Sequence, residues 1–324
     1  MEALAMFELK RPASVAEAAM LLAAEPGARL LGGGTDLLPK LRRGIERPSW
    51  LVDLGGVREL WAVQFSAAGL LIGAGVTLAQ LATDARIARE WPAIAEAAAS
   101  VAGPGHRNAA TLGGNLCLDT RCLFYNQSEW WRAANQFCLK RGGTVCHVAP
   151  QGQRCHAAFS GDLAPALLVL GAEVELVGAR GIRRLPLADL YRDDGAAHIT
   201  LARDELLARV LVPAAPPGQR CGYRKARVRA AMDFPLAGVA CAVRLRDGVL
   251  ADLKIAITGT NSNPFLLAGC NEFIGHRVDA ELLALIGKRV QKQVNPMRSS
   301  ATPSNHRRLA AAQLAQRLVR ELSA

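Results

Sequence analysis

Residues 30–37 read LLGGGTDL and place three consecutive glycines directly after a short apolar run. That run, 28–31, predicts a buried strand. Because glycine lacks a Cβ, this turn lets the backbone approach a ligand and directs several N–H groups into one concavity, which suits a diphosphate. A tight strand-to-helix turn without a ligand has the same pattern. Leu37 occupies the third-glycine position of G-x-G-x-x-G, which disfavours a Rossmann dinucleotide site.

A second glycine turn, residues 111–117 with the sequence TLGGNLC, follows in the same half of the chain. Each turn has Thr or Asn beside its glycines. Two such turns in one domain could hold an extended dinucleotide from both sides. Neither turn by itself is specific for a nucleotide, but the two turns together favour nucleotide binding.

Four cysteines follow the second turn, with fifteen, seven and eight residues between them: Cys122, Cys138, Cys146 and Cys155. A long loop can converge four thiolates on an iron–sulfur cluster. Unligated thiols are an equal alternative, whereas zinc sites usually contain close C-x₂₋₄-C pairs that are absent here. Cys117 adds a fifth thiol. Trp130, Trp131 and Phe137 are expected to shield a cluster from water.

The composition predicts a reduced, soluble, cytoplasmic protein of about two domains. The chain has 324 residues, 51% of them hydrophobic, with eight cysteines and a net charge of +11. Glu2 and Glu8 stand where a signal peptide would be basic, and no apolar run is long enough to cross a membrane. Nucleic-acid binding is disfavoured because the basic residues are scattered and aromatic residues make up only 5%.

Short sequence motifs predict several helices, a hairpin turn and a linker. Ser14 with Glu17 and Thr77 with Gln80 are capping boxes that open helices, the second one alanine-rich. Asp247-Gly248 predicts a hairpin turn. Pro216-Pro217 favours a linker, and a basic helix with Leu309, Leu314 and Leu318 on one side is expected near the end of the chain.

Five segments in order resemble the flavin subunit of the xanthine dehydrogenase family of molybdenum hydroxylases: 30–37, 111–117, 160–167 (SGDLAPAL), 205–213 (ELLARVLVP) and 223–233 (YRKARVRAAMD). The resemblance covers nearly the whole chain. It implies an α+β fold, with a vanillyl-alcohol-oxidase (PCMH-type) FAD-binding domain over 1–216 and a smaller C-terminal α+β domain of the CO dehydrogenase flavoprotein type over 217–324.

Residues 118–156 look like an insertion relative to most members of that family. Its spelling, RCLFYNQSEWWR and FCLKRGGTVCHV, resembles the β subunits of 4-hydroxybenzoyl-CoA reductases, a branch of the family whose inserted loop holds a [4Fe–4S] cluster. Matched residue by residue, the resemblance implies that Cys122, Cys138, Cys146 and Cys155 are the ligands. Cys117 would lie near the flavin.

The same resemblance implies the residues that bind FAD. The diphosphate and its neighbours would contact Leu30, Leu31, Gly32, Gly33, Gly34, Thr35, Asp36, Leu37, Ala102, Thr111, Gly114 and Asn115. Asp162 would reach the ribose or adenine, and Leu211 and Lys225 would approach the isoalloxazine. These chemistries are compatible, since N–H groups suit a diphosphate and a carboxylate accepts from hydroxyls. The Gly/Pro-rich segment 103–106 departs from the family pattern.

The implied activity is electron transfer within a 4-hydroxybenzoyl-CoA reductase. Ferredoxin would supply electrons to the [4Fe–4S] cluster and FAD. A small subunit with [2Fe–2S] clusters would pass them to a large subunit with the molybdopterin-type molybdenum cofactor, where the substrate is dehydroxylated. This chain would not bind the aromatic substrate. A dimer of heterotrimers is expected. The alternatives are the flavin and iron–sulfur subunit of an aromatic aldehyde oxidoreductase and, with less support, a zinc-stabilised nucleic-acid-binding protein.

Overall fold

The computed structural model describes residues 5–298 and 302–324, so Glu2 lies outside the described residues. The strands are β1 (Glu8–Lys10), β2 (Arg29–Leu31), β3 (Trp50–Asp53), β4 (Val63–Ser66), β5 (Gly69–Gly73), β6 (Glu173–Gly178), β7 (Gly181–Pro186), β8 (Glu205–Pro213), β9 (Gln219–Ala226), β10 (Ala237–Arg246), β11 (Val249–Thr258) and β12 (Phe265–Leu266). The α-helices are α1 (Val15–Ala24), α2 (Leu37–Arg42), α3 (Leu78–Thr83), α4 (Ala85–Glu90), α5 (Pro92–Ser100), α6 (Pro104–Ala109), α7 (Leu112–Leu116), α8 (Glu129–Ala134), α9 (Leu163–Val169), α10 (Ala280–Gln293) and α11 (Ser304–Ser323).

A small parallel sheet with the order β1-β3-β2 positions the first glycine turn. The predicted strand before the glycines forms as β2, but it is not buried as expected, because Arg29 is exposed and Leu30 and Leu31 are half-buried. The helix α2 begins at Leu37, so the glycines form the strand-to-helix turn. The helix α1 crosses between β1 and β2 and is capped by Ser14, which accepts from the Glu17 N–H. The Glu17 carboxylate accepts from Ala13 instead of closing the box on Ser14.

A five-stranded antiparallel sheet, β4-β5-β8-β6-β7, positions the second glycine turn. The predicted capping box of Thr77 and Gln80 is complete at the start of α3. Thr77 pairs with Thr111 in an isolated bridge, which brings the second turn beside this cap. The alanine-rich stretch forms three helices, because Asp84 caps α4 and Pro92 starts α5.

The C-terminal sheet, β12-β11-β10-β9, has two buried faces. The predicted hairpin is confirmed: Asp247 and Gly248 have φ of 53° and 77°, as a type I′ turn requires. Side chains alternate along β10, so Ala240 joins the core of the first half while Val239 and Cys241 pack with α10 and α11. The chain therefore forms two cores that share one sheet.

The last helix differs from its predicted orientation. Leu318 is fully buried and Leu314 partly so, but Leu309 is 41% exposed. Alanines at 311, 312 and 315 supply most of the packed face instead. Small side chains let α11 lie close to β10. The prediction that the leucines define the packed face was therefore wrong for Leu309.

Candidate functional site

A cavity of about 680 Å³ lies where the two glycine turns meet. It is lined by every residue that the sequence predicted to bind the cofactor except Leu31 and Leu211. Leu31 packs behind Gly34, and Leu211 lies in the middle of the five-stranded sheet, paired with Leu71 and Glu173. The fold thus gathers residues from distant segments around one elongated site.

The first glycine turn lies against the backbone that precedes the second. A Cβ on Gly33 would lie 1.7 Å from the carbonyl oxygen of Ala109, so no other residue fits there without displacement of that backbone. Gly34 has a φ of +71°, which favours glycine. Among the described residues, the N–H groups of Gly33, Gly34 and Thr35 find no protein acceptor. They are therefore free to bind a ligand oxygen.

The second turn uses its N–H groups within the protein. Gly113 donates to the Ala74 carbonyl at 2.8 Å, and Gly114 donates to Thr111 Oγ1 at 3.1 Å. Asn115 Oδ1 accepts from the Leu163 N–H at 2.9 Å, which ties the turn to α9. This turn shapes the wall of the cavity, while the first turn offers the free donors.

Ala102 also lines the cavity and has a φ of 42°, which is uncommon for a residue with a Cβ. Pro104 starts α6 two residues later, so the Gly/Pro-rich segment forms a helix start beside the cavity.

A buried trio closes one end of the cavity. The Asp162 carboxylate, 2% exposed, accepts from the Tyr223 hydroxyl and from Lys225 Nζ at 3.1 Å. Burial raises the pKa of Asp162 above its ordinary value, although Lys225 and Tyr223 oppose that change. Both carboxylate oxygens therefore have protein partners, and Lys225 is held across the domain junction.

The cysteine insert, residues 118–156, packs beside the cavity and is closed by the bridge between Arg121 and Ala158. Its four predicted ligands, Cys122, Cys138, Cys146 and Cys155, are each less than 9% exposed. Burial raises the pKa of Cys155 to about 12, and the charges of Cys146 and Cys122 act in the same direction. Burial likewise raises the pKa of Cys122, with Cys138 and Cys146 contributing. Cys122 and Cys155 also belong to one small buried cluster, together with Tyr125 and Ala157.

Backbone groups already point at two of these sulfurs. The N–H of Tyr125 donates to Cys122 Sγ at 3.3 Å, and the N–H of Ala157 donates to Cys155 Sγ at 3.4 Å. Within the described ranges, no three Cys, His, Asp or Glu side chains lie close enough to hold one metal ion. Cys117 lies apart from the insert's thiols, on the cavity wall, where burial raises its pKa to about 12.

One expectation about the insert's surroundings needs correction. Trp130 is 78% exposed and does not shield the cysteines, whereas Phe124 packs between Trp131 and His147 with tilted rings at centroid distances of 6.0 and 5.1 Å. His147 Nε2 donates to the Phe137 carbonyl at 2.7 Å, which agrees with a hydrogen-bonding role.

A wall of charged residues lies between the cavity and the cysteines of the insert, and the sequence reasoning missed it. Asp119 lines the cavity and accepts from Lys140 at 2.6 Å, Lys40 at 2.9 Å and the Tyr125 hydroxyl at 3.1 Å. Although burial alone would raise the pKa of Asp119, the charges of Lys140 and Lys40 outweigh it and hold that pKa well below its usual range. Through Tyr125, this wall connects the cavity to Cys122.

Arg121 forms a second connection that was missed. Its Nη2 donates to Asp36 in the first glycine turn at 2.7 Å, and its Nη1 donates to Asn126 in the insert at 3.0 Å. An isolated Arg or Lys in a loop carries no sequence signal for such a role. The position of Arg121 immediately before Cys122 was the only available hint.

The three remaining cysteines, Cys221, Cys241 and Cys270, are buried in the two cores, where they serve as small packing side chains. No helix within residues 5–298 and 302–324 combines the length and apolar composition needed to span a bilayer.

Comparison with known proteins identifies both halves. Residues 5–215 match the family described as the FAD binding domain in molybdopterin dehydrogenase, and residues 222–322 match the CO dehydrogenase flavoprotein C-terminal domain. The chain is 34% identical to the FAD-binding subunit of an Escherichia coli aldehyde oxidoreductase over 80% of its length and 83% of the relative. It is 30% identical to an Escherichia coli xanthine dehydrogenase FAD-binding subunit, covering 92% of this chain and 89% of that one.

A solved structure of the Cu,Mo-CO dehydrogenase has a chain with the same fold, with a TM-score of 0.82 and 23% identity over 99% of both chains. The predicted fold class, an FAD-binding domain followed by a C-terminal domain of the CO dehydrogenase flavoprotein type, is confirmed.

Proposed function

Because the chain belongs to the family of FAD-binding subunits of molybdopterin dehydrogenases, we propose that it is the flavin and iron–sulfur subunit of a 4-hydroxybenzoyl-CoA reductase. In this proposal it transfers electrons and leaves the dehydroxylation to partner subunits. A large subunit would hold the molybdenum cofactor, and a small one the [2Fe–2S] clusters. Ferredoxin would be the donor, and two such heterotrimers would associate.

FAD would occupy the cavity. The free N–H groups of Gly33, Gly34 and Thr35 suit diphosphate oxygens, and Arg121, which also lines the cavity, adds a nearby cation. Lys225, fixed by Asp162, would lie beside the cofactor at the domain junction. The cavity volume of about 680 Å³ is in the range of ligand sites of a few hundred to about 1,000 Å³. The residues present therefore fit the cofactor.

A [4Fe–4S] cluster would be held by Cys122, Cys138, Cys146 and Cys155. The observation that carries this proposal is the burial of all four thiols together in one insert. The N–H groups of Tyr125 and Ala157 aimed at sulfur are the kind of hydrogen bond that stabilises thiolates of a cluster. A single zinc ion with Zn–S bonds of about 2.3 Å needs thiolates much closer together than a four-iron cluster does. The zinc alternative therefore has less support than the cluster.

The two cofactors would supply one- and two-electron transfer from FAD and one-electron transfer from the cluster. The chain's own contribution is to hold both groups on either side of the Asp119 wall and to exclude water from the thiols. No step of substrate chemistry is assigned to this chain.

Ferredoxin would dock on the outer face of the insert. Trp130 and Leu123 are 78% and 53% exposed there, and the net charge of +11 favours an acidic partner. The Lys140-Arg141 pair contributes less than the sequence suggests, because Lys140 is buried against Asp119. Electron-transfer rates from ferredoxin should fall as ionic strength rises, and Trp130→Ala should slow transfer at every salt concentration. Transfer rates that respond neither to ionic strength nor to Trp130→Ala would exclude this docking face.

An aromatic aldehyde oxidoreductase is the second candidate, and the 34% identity to an aldehyde oxidoreductase subunit favours it. The two candidates share the cofactors proposed for this chain and differ in the substrate of the assembled enzyme. The spelling of residues 124–132, FYNQSEWWR, favours the reductase.

The deciding experiment has two parts. The purified chain should show flavin absorbance and four irons, and iron-free protein with bound zinc would refute the cluster. The complex assembled with its partner subunits should then reduce 4-hydroxybenzoyl-CoA with reduced ferredoxin. Oxidation of benzaldehyde without that activity would establish the second candidate instead.

A further inference from the structure

Arg132 lies inside the cysteine insert with only part of its guanidinium satisfied. The side chain is 1% exposed, and Nη1 donates to the carbonyls of Tyr125, at 3.1 Å, and Gln127. In the part of the chain that the structure describes, Nε and Nη2 have no hydrogen-bond partner. Buried donors are rarely left unpaired, because removing them from water without an acceptor is unfavourable. An acceptor at this position is therefore to be expected.

The backbone holds Arg132 next to Cys138. The Phe137 N–H donates to the Arg132 carbonyl at 2.7 Å, and Gln136 and Phe137 have φ of 58° and 57°. Two successive left-handed residues without glycine are unusual. They turn the chain sharply at the end of α8 and bring Cys138 back toward the arginine.

The neighbouring groups leave the Cys138 sulfur as the natural acceptor for these donors. Glu129 already binds Arg47 at 2.7 Å, and Tyr125 donates its hydroxyl to Asp119. Arg141 is a cation and repels Arg132. Cys138, the residue after Phe137, is a free and buried thiol, and its sulfur accepts no hydrogen bond from the described residues.

We propose that Arg132 donates its free N–H groups to sulfur on the Cys138 side of the [4Fe–4S] cluster and sets the cluster's reduction potential. This inference rests on the proposed function. A buried positive charge and N–H···S bonds stabilise the more negative, reduced cluster and raise its potential. Arg132 is thus a positioning and tuning residue, not a ligand.

The first test compares potentials in the full chain with its cofactors bound. Arg132→Gln should retain four irons and lower the midpoint potential of the cluster, and Arg132→Lys should give an intermediate shift. Arg141→Gln is the matched control, because it removes a half-buried cation next to the same ligand and should shift the potential less. An unchanged potential in an iron-loaded Arg132→Gln protein would overturn the proposal.

The second test does not depend on a folded Arg132 variant. Wild-type protein labelled with ¹⁵N-arginine should show a nitrogen coupling to the reduced cluster in pulsed EPR, and Arg141→Gln should keep it. A four-iron cluster without that coupling overturns the role of Arg132 while leaving the proposed function intact. Wild-type protein that contains no iron would instead refute the proposed function itself.

Discussion

The cavity at the two glycine turns and the cysteine insert lie side by side but are built in different ways. The cavity is open and formed by turns at the ends of regular strands and helices, and its free donors belong to the backbone. Within its described residues the insert has one short α-helix, α8, one 3₁₀ turn at Leu139–Arg141 and no strand, and its reactive groups are buried side chains. Backbone N–H donors must come close to their ligand, which glycine permits because it has no side chain. Thiolates must be excluded from water and brought together around one point, which an irregular loop can do.

The comparison also shows how two sites can share one wall. Asp119 and Lys40 line the cavity, and Asp119 also binds Lys140 within the insert, so the wall fixes the insert against the cavity. A buried ion cluster of this kind gives geometric specificity more than net stability. A substitution on one side of the wall should therefore affect only the site on that side, whereas a substitution within the wall should affect both sites.

Cys138→Ser should have the largest effect, and it should distinguish the insert from the cavity most clearly. Losing one of four thiolates should remove the cluster, so iron should fall from four per chain to near zero while flavin stays bound. Iron analysis and the visible spectrum measure this. Cys117→Ser is the matched control and should keep all the iron; loss of iron from that variant would mean that the ligand set is wrong.

Asp119→Asn should destabilise both regions at once. It leaves the buried ammonium groups of Lys40 and Lys140 without their shared carboxylate, which typically costs about 3–5 kcal/mol. Urea unfolding of the purified protein measures the change. Glu90→Gln, in an exposed ion pair with Arg86, should change stability little. Equal effects of the two substitutions would show that the wall has no structural role.

The pH dependence of stability should reveal His198 behind the same wall. Its Nε2 donates to the Leu118 carbonyl at 2.9 Å, and burial lowers its pKa from 6.5 to about 4, with Lys140 adding to this. Between these values the unfolded chain binds a proton that the folded chain does not. Stability should therefore fall by about 3 kcal/mol as pH falls from 6.5 to 4.

His198→Gln should flatten the unfolding free energy across that pH window, as followed by urea titrations at several pH values. A variant with the wild-type pH slope would assign the loss of stability to other groups.

Gly33→Ala should have the smallest effect and act on the cavity alone. The new Cβ would force the backbone at Ala109 to move, which costs about 1–3 kcal/mol and should lower FAD affinity about tenfold or more. Flavin content and a flavin titration measure this, with iron expected to stay at four. Gly105→Ala has no atom within 4 Å of the new Cβ and should bind flavin normally. Normal flavin binding by Gly33→Ala would remove the first turn from the proposed site.

Local patterns predicted the parts of this protein that depend on residue type alone. The capping box at Thr77, the type I′ turn at Asp247 and the glycine turn after β2 follow from backbone preferences within a few residues. The family resemblance named the residues around the cavity, and nearly all of them line it. Their contacts with a cofactor remain predictions.

Tertiary structure decided the rest, because it depends on which distant segments pack together. Nothing near Lys140 in the sequence indicates that its charge is buried against Asp119, or that Arg121 reaches Asp36. The same holds for Arg132, hidden within a helix that also carries the exposed Trp130. Residue identity determined what chemistry was available to this chain, whereas long-range packing determined which charges lost their water and which partners replaced it.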